Sequence, residues 1–259
     1  KKMIKNKNIK IFNNYDCFKR IIKNKIDYVM SSIIGLDGLK PTYDIIKFTK
    51  KIAIANKESL ICGWNLINRE LKKNKTKFIP VDSEHFSIWF GLKNTENNIK
   101  KIIITASGGP FLNLPLNKFK NINRSQALNH PNWKMGDKIT IDSATMMNKV
   151  FEIIEAKNIF NLNYNQLSIL IHPASYIHGI IKFENGLIKI IAHDTSMEIP
   201  IMNSYYSNKK IKTLKTKDID VKKLNNVNFD KVNLKRFPLV KILDLMPKKS
   251  SLFETILVT

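Results

Sequence analysis

Short apolar runs alternate with amphipathic segments over the first third of the chain, and this alternation constrains the fold more than any other feature. Between Ile9 and about Val81 the segments are KIDYVMSSI, PTYDIIKFTK, KIAIA, SLICGWNLINRELKK and KFIPV. Short buried strands separated by helices are typical of a parallel, doubly wound sheet, whose ligands gather at the carboxyl ends of the strands. The sequence therefore predicts a βαβαβ arrangement.

The start of this region lacks the glycine-rich GxGxxG turn that normally opens such a sheet, and the first residue is lysine. We therefore expect the chain to enter a nucleotide-binding domain partway through.

A mixed pattern follows residue 98. NIKKIIITA predicts a strand, the Gly- and Pro-containing stretch 107–142 predicts loops, and residues 144–160 predict a helix with Ser143 as its N-cap. Three more strands, QLSILIH, YIHGIIKFE and LIKIIAH, precede a helix near residues 199–206. This order of elements is typical of an α+β domain.

The predicted fold class is α/β, with the chain divided into three parts. Residues 1–80 form a partial Rossmann-like parallel sheet, the C-terminal part of a nucleotide-binding domain. Residues 81–206 form an α+β catalytic domain. Residues 207–259 comprise a linker rich in Lys and Asn and the start of a C-terminal helical domain, at LFETILVT.

The chain is strongly basic, because 44 Lys and Arg residues against 21 Asp and Glu residues give a formal net charge of +23. Clustered basic residues bind nucleic acids by neutralising phosphates. Here the lysines are spread among abundant Asn and Ile, which also have AT-rich codons, and no nucleic-acid-binding motif accompanies them. We expect no nucleic-acid partner, although a positive surface would attract anionic phosphorylated substrates.

Neither membrane insertion nor a disulfide framework is expected. No apolar run reaches the roughly 18 to 20 residues that a membrane helix needs, and the basic opening lacks the features of a signal peptide. Cys17 and Cys62 lack the spacing of metal ligands. We expect a soluble, unexported protein with two packing cysteines.

Two acidic side chains follow the last predicted strand of the first region. In KFIPVDSEH the strand ends at Val81, and an extended backbone would point Asp82 and Glu84 to the same side. Two hard oxygen ligands there could hold Mg²⁺ or Mn²⁺. Acidic pairs at strand ends are more often simply solvated, so the pair alone leaves both interpretations open.

The predicted helix in DSATMMNKVFEIIEA carries a polar stripe. Asn148, Glu152 and Glu155 share one helical face, with Lys149 beside it. A solvent-facing helix with a Lys149–Glu152 ion pair accounts for this pattern. Alternatively, Glu152 is a third metal carboxylate, while Lys149, Asn148 and Ser143 bind a phosphate near the helix start.

Three loop segments add candidate residues. Ser107 begins SGGPF, whose backbone amides and hydroxyl could approach a phosphate closely. His130 and Trp133 lie in HPNWKMG, a Pro- and Gly-bounded loop that could close over a substrate. HPASYIH, residues 172–178, places two histidines around a strand break. A plain turn, an anchoring aromatic residue and packed core histidines are the alternative interpretations.

Six segments together resemble one family. They are ANKES (55–59), PVDSEH (80–85), SGGPF (107–111), HPNWKMG (130–136), KITIDSATMMNK (138–149) and HPASYIH (172–178). Their order and approximate spacing are those of the 1-deoxy-D-xylulose 5-phosphate reductoisomerase family, which the chain resembles from about Ser31 through Tyr206.

The resemblance implies an activity and its partners. Members of the family convert 1-deoxy-D-xylulose 5-phosphate to 2-C-methyl-D-erythritol 4-phosphate in the non-mevalonate route to isoprenoids. The implied cofactors are NADPH and Mn²⁺ or Mg²⁺, and the implied substrate is a small phosphorylated sugar. A homodimer in the bacterial cytoplasm or a plastid is expected, without nucleic-acid or membrane partners.

The resemblance also implies roles for individual residues. The metal ligands are Asp82, Glu84 and Glu152. Lys57 and His130 join them as catalytic residues. The implied substrate-binding residues are Ser83, Ser107, His130, Trp133, Met135, Ser143, Asn148, Lys149 and His178. The implied NADPH-binding residues are Asn56, Glu58 and Gly136.

The sequence departs from the family pattern in four places. Val150 replaces a glycine, and we expect repacking at this inward position. HPASYIHG and HDTSMEIP differ from the commoner HPQSVIHS and PDMRTPI. The missing GSTGSIG loop predicts weak cofactor binding and an inactive chain. Two alternatives remain at this stage, namely a metal-dependent phosphosugar isomerase without redox chemistry and a basic nucleic-acid-binding protein.

Overall fold

The computed structural model describes residues 15–206, 218–247 and 252–259. The predicted opening of the chain before residue 15 and the first part of the predicted linker, residues 207–217, lie outside the described residues. The chain forms two compact units. Unit 1 comprises residues 1–59 and 63–79, and unit 2 comprises residues 60–62 and 80–259.

Unit 1 contains the predicted alternation of strands and helices. Its described strands form one sheet in the order β1 (Val29–Ser31), β2 (Lys51–Ile54) and β3 (Lys77–Pro80). Strands β1 and β2 are parallel, with Val29 opposite Ile52. The helices are α1 (Phe18–Ile21), α2 (Leu39–Ile46), α3 (Lys57–Cys62) and α4 (Trp64–Asn74). Ile52, Ala53 and Ile54 are buried, as expected for a central strand covered by helices.

Unit 2 is built on a mixed sheet. Its described strands are β4 (Ile99–Ala106), β5 (Leu167–Ile171), β6 (Ile177–Phe183), β7 (Ile188–Ala192) and β8 (Asp230–Lys231), in the order β7-β6-β4-β5-β8. Strand β4 runs parallel to β5 and antiparallel to β6. Strand β7 pairs antiparallel with β6, and β8 pairs antiparallel with β5.

Seven labelled helices accompany this sheet among the described residues. They are α5 (Ser83–Gly91), α6 (Arg124–Ala127), α7 (Asp137–Ala144), α8 (Met147–Phe160), α9 (Glu198–Tyr205), α10 (Val221–Asn225) and α11 (Leu252–Val258). Short 3-10 helices cover residues 15–17, 36–38, 116–121, 164–166 and 238–245.

Helix α8 lies between two hydrophobic clusters of unit 2. Val150 and Ile154 belong to a cluster that includes Ile171 and Phe237. Ile153 belongs to a second cluster against β4 and β6. Because apolar contacts surround this helix, its polar residues are enclosed rather than solvated. Val150 is fully buried, which confirms that this position faces inward.

The helix predicted from residue 144 was wrong at its start. The structure has two helices here, because α7 ends at Ala144 and α8 begins after Met146, whose φ of 64° breaks the helical path. Ser143 therefore lies inside α7 and is not an N-cap. Met146 is buried, and its packing outweighs the backbone cost of a left-handed conformation.

The extended backbone predicted at the acidic pair was also wrong. Strand β3 ends at Pro80, Asp82 is the residue before α5, and Glu84 lies in the first turn of that helix. Acidic residues are favoured at a helix start because they interact well with its exposed amides. Asp82 and Glu84 therefore come from a strand-to-helix turn.

The α/β fold class is confirmed, and the predicted strands correspond to β1 to β7. Helix α5 was not predicted, and α6 and most of α7 lie in the stretch 107–142 that was predicted to form loops, so that prediction was wrong there. No described helix is long and apolar enough to cross a membrane.

Candidate active site

Three carboxylates converge where β3 meets α5. Asp82 and Glu84 come from this turn, and Glu152 comes from the second turn of α8. One oxygen of each carboxylate lies within 4.8 Å of the others. Glu152 is 1% exposed, which excludes the solvent-facing interpretation of its helix. The structure therefore brings together all three residues proposed as metal ligands.

A buried ammonium lies between two of these carboxylates. The Nζ of Lys149 forms an ion pair with Oε1 of Glu84 and lies 2.6 Å from Oε2 of Glu152. Burial alone would lower the pKa of Lys149, but Glu152 and Glu84 outweigh it and raise the pKa. Lys149 is therefore a fixed positive charge at neutral pH.

The remaining oxygens of the same two glutamates also have protein donors. Asn148 donates from Nδ2 to Oε1 of Glu152 at 2.5 Å. The hydroxyl of Ser83 donates to Oε2 of Glu84. Both glutamates thus receive hydrogen bonds from the side chains that the sequence assigned to substrate binding.

The donor set fits a hard divalent cation. It consists of carboxylate oxygens, which Mg²⁺ and Mn²⁺ prefer, and it contains no soft sulfur ligand. Three carboxylates against the one ammonium of Lys149 leave two negative charges in excess, and this excess favours binding of a cation.

Two buried residues behind the carboxylates were not assigned from the sequence. His85 of α5 contacts the backbone oxygen of Glu152 through Nε2 at 2.9 Å. Its Nδ1 lies 3.8 Å from Oε2 of Glu155. These contacts hold α5 against α8 and so fix the spacing of the metal-site carboxylates. The sequence did offer one signal. His85 lies three residues after Asp82, and Glu155 lies three residues after Glu152, a spacing that places two side chains on the same face of a helix.

A second group of polar residues follows β4. The Oγ of Ser107 lies 3.1 Å from Nε2 of His130 and accepts a hydrogen bond from the Gly109 amide at 3.1 Å. Gly109 has φ of 66°, and a Cβ there would lie 2.8 Å from the Ser143 carbonyl oxygen. Glycine thus allows the end of α7 to approach this turn, which brings Ser143 near Ser107.

The predicted lid loop is irregular from His130 to Gly136, and it is anchored at several points. His130 Nδ1 accepts hydrogen bonds from the amides of Asn132 at 3.1 Å and Trp133 at 3.0 Å. Asn132 also donates to the Pro173 carbonyl at 2.6 Å. Trp133 contacts His178 edge to face, with 6.1 Å between ring centroids. Met135 is half-buried, and Gly136 is the residue before α7.

His178 stacks on a histidine that the sequence did not single out. The rings of His178 and His193 lie 3.7 Å apart at an angle of 14°. Burial, and then His193, lower the pKa of His178 to about 3. Burial also lowers the pKa of His193, and burial followed by Lys149 lowers that of His130. These imidazoles are neutral at pH 7. No sequence pattern indicated His193, because the contact depends on the pairing of β6 with β7.

The candidates of unit 1 lie where β2 leads into α3. Asn56 is buried, its Oδ1 accepts from the Ser59 amide at 2.5 Å, and its Nδ2 donates to the carbonyls of Gly35 at 2.8 Å and Ile33. Its amide group is therefore used to hold the loop after β1. Lys57 and Glu58 are half-buried in the first turn of α3.

Comparison with known proteins gives a consistent result. The family model described as 1-deoxy-D-xylulose 5-phosphate reductoisomerase matches residues 1–63, and the model of its C-terminal domain matches residues 78–160. A protein of that name from Pelagibacter ubique (strain HTCC1062) is 65% identical over all of this chain and 67% of its own length. One from Sulfurihydrogenibium sp. (strain YO3AOP1) is 40% identical over 96% of this chain and 65% of its own length.

Solved structures agree. A DOX-P reductoisomerase in complex with NADPH, fosmidomycin and magnesium matches with a TM-score of 0.80 and 32% identity, over 90% of this chain and 60% of that one. The enzyme from Zymomonas mobilis in complex with NADPH matches with a TM-score of 0.78 and 34% identity, over 88% and 59%. The chain spans about two thirds or less of the length of these proteins. The chain belongs to the 1-deoxy-D-xylulose 5-phosphate reductoisomerase family.

Proposed function

We propose that this chain provides the metal and substrate site for the reductive isomerisation of 1-deoxy-D-xylulose 5-phosphate to 2-C-methyl-D-erythritol 4-phosphate. The observation that carries the proposal is the convergence of Asp82, Glu84 and Glu152 within 4.8 Å, beside a buried lysine. Related proteins carry the name of this activity.

The three carboxylates would hold Mg²⁺ or Mn²⁺. When bound, the cation supplies Lewis acidity at the carbonyl and hydroxyl oxygens of the sugar, and NADPH supplies the hydride. His85 and Glu155 keep the carboxylates at their spacing by holding α5 against α8.

The residues that the family resemblance implies as substrate-binding would contact the sugar phosphate. The proposed phosphate-binding residues are Ser107, Ser143, Asn148 and Lys149. Lys57, Ser83 and His130 would contact the sugar oxygens. Trp133 and Met135 would cover the carbon backbone of the sugar and exclude water, and His178 would form part of the wall behind Trp133. The neutral imidazoles of His130 and His178 leave Lys149 as the positive charge for the phosphate.

The proposed NADPH-binding residues are Asn56, Glu58 and Gly136. Asn56 and Glu58 lie at the carboxyl end of β2, the edge where parallel sheets bind dinucleotides. The amide of Asn56 is already bonded to the loop after β1, so this residue would act by shaping that loop.

Substrate-dependent oxidation of NADPH tests the proposal. The chain is mixed with Mn²⁺, NADPH and 1-deoxy-D-xylulose 5-phosphate, and the NADPH absorbance is followed. Calorimetric titration of the sugar phosphate into the parent and into Glu152→Gln runs in parallel. Metal-dependent binding that Glu152→Gln abolishes supports the site. Rearrangement of the sugar phosphate without NADPH oxidation would favour an isomerase without redox chemistry, and failure of a folded parent to bind would contradict the proposal.

The division into residues 1–80, 81–206 and 207–259 and the homodimer remain proposals. Strand β7 lies at one edge of the described sheet of unit 2 and exposes Ile188 and Ile190, beside the exposed Leu187, and a second copy would cover these side chains. The relatives come from bacteria, which favours the bacterial cytoplasm over a plastid.

A further inference from the structure

The carboxylates that fit a divalent cation and the donors that fit the substrate phosphate are bonded to one another. Lys149 bridges Glu84 and Glu152, Asn148 donates to Glu152, and Ser83 donates to Glu84. Three of the four oxygens of the two glutamates therefore accept a hydrogen bond from the protein, and the fourth, Oε2 of Glu152, lies 2.6 Å from the Lys149 ammonium as an ion pair. A cation that coordinates these oxygens would lie beside the Lys149 ammonium, and the two positive charges would repel each other.

Lys149 is the donor that a cation displaces most readily. Its ammonium and the cation are both positive and would compete for the same oxygens, whereas Asn148 and Ser83 are neutral. The ammonium is buried and is held by the glutamates, as the raised pKa of Lys149 reflects. An ammonium in that position is occupied with carboxylates and is a poor partner for a phosphate.

The charges support an exchange. The three carboxylates exceed the one ammonium by two negative charges, so a divalent cation can replace Lys149 and still leave the carboxylates neutralised more fully than before. The released ammonium then lacks a counter-ion in a buried setting, which is costly unless another anion arrives. A phosphate near Lys149 would be that anion.

We propose that Lys149 exchanges its carboxylate partners for the substrate phosphate when the divalent cation binds, so that metal loading prepares the phosphate site. This inference rests on the proposed function and adds an order of binding to it. Because coupling between two ligands is reciprocal, the cation should raise the affinity for phosphate and phosphate should raise the affinity for the cation.

A thermodynamic cycle with Mg²⁺ and inorganic phosphate tests this exchange by calorimetry on the full chain. Mg²⁺ affinity is measured with and without phosphate, and phosphate affinity with and without Mg²⁺. In the parent, each ligand is expected to tighten the other by about five- to 150-fold. In Lys149→Met, Mg²⁺ should bind more tightly than in the parent, and phosphate affinity should be weak and unaffected by Mg²⁺.

Lys138→Met is the matched control, because Lys138 forms an exposed ion pair with Asp142 at 2.9 Å. It should retain the parent's coupling. If Lys149→Met does not fold, Lys149→Gln replaces it, because its neutral amide can still donate to Glu84 and Glu152 but carries no charge to exchange, and the same loss of coupling is expected.

The outcomes separate the exchange from the site itself. Coupling that persists in Lys149→Met would mean that the cation binds phosphate directly, and it would overturn the exchange. Absence of coupling in a parent that binds Mg²⁺ through Glu152 would overturn the exchange and leave the carboxylate site standing. Mg²⁺ binding that Glu152→Gln does not weaken would overturn both.

Discussion

Helix α8 carries two lysines whose side chains are largely enclosed and whose surroundings differ in charge balance. Near the start of the helix, Lys149 lies among the carboxylates of Asp82, Glu84 and Glu152. Near its end, Lys157 forms an ion pair with Glu254 of α11 at 2.6 Å. The first cluster has an excess of negative charge, whereas the second pairs one ammonium with one carboxylate.

Hydrogen bonding completes the second cluster. The hydroxyl of Tyr164 donates to the same oxygen of Glu254, and burial together with Glu254 raises the pKa of Tyr164. A balanced, buried pair of this kind holds α11 on α8 and has no need of a further ion. A buried pair of lysine and glutamate therefore does not by itself indicate a metal site, whereas an uncompensated negative charge does.

The largest expected effect is on stability, at the balanced cluster. Lys157→Met would leave Glu254 buried without its ammonium, and removing one partner of a buried ion pair costs about 3–5 kcal/mol. Glu152→Gln should cost much less, because it relieves repulsion among three carboxylates. Urea unfolding of both variants measures this contrast. Equal losses of unfolding free energy would show that the two clusters do not differ in charge balance.

A smaller change in unfolding free energy should follow from the protonation of His178 as the pH falls. The pKa of His178 is about 3 in the folded chain, below the usual value of 6.5. As the pH falls, the unfolded chain protonates His178 at a higher pH than the folded chain does. The contribution of neutral His178 to the unfolding free energy is therefore fully present above about pH 6.5 and decreases as the pH falls toward 3. The unfolding free energy should fall by about 2 kcal/mol between pH 7 and pH 5.

His178→Asn is the control for this dependence. Urea unfolding at pH 7 and pH 5 should show a smaller fall in the variant than in the parent. An unchanged fall would assign the pH dependence to groups other than His178.

Periodicity predicted most of the fold because burial repeats along strands and helices. It gave the strands β1 to β7 and the polar stripe of α8. It failed between α7 and α8, where Met146 precedes the start of α8, because local patterns do not report the packing that favours a left-handed Met146. The sequence also could not decide whether the stripe faced solvent, because that depends on the sheet and helices around it.

The residues of the candidate site that lie in sequence motifs were predictable. Those that join the site only through tertiary contacts were not. Asp82, Glu84 and Glu152 come from two segments; the polar stripe left the role of Glu152 open, and the family resemblance favoured a shared metal site. His85 and His193 join the site through contacts with α8 and β6. Contacts between residues that are distant in the chain produce no local sequence pattern from which they could be predicted.

The first cluster, with its excess of negative charge, should bind a divalent cation, whereas the pair of Lys157 and Glu254 should not. Titration of Mn²⁺ followed by electron paramagnetic resonance, on the parent, Glu152→Gln and Glu254→Gln, tests it directly. We predict saturable Mn²⁺ binding by the parent, loss of binding in folded Glu152→Gln, and retention in Glu254→Gln. Equal Mn²⁺ binding by the parent and Glu152→Gln would contradict the account.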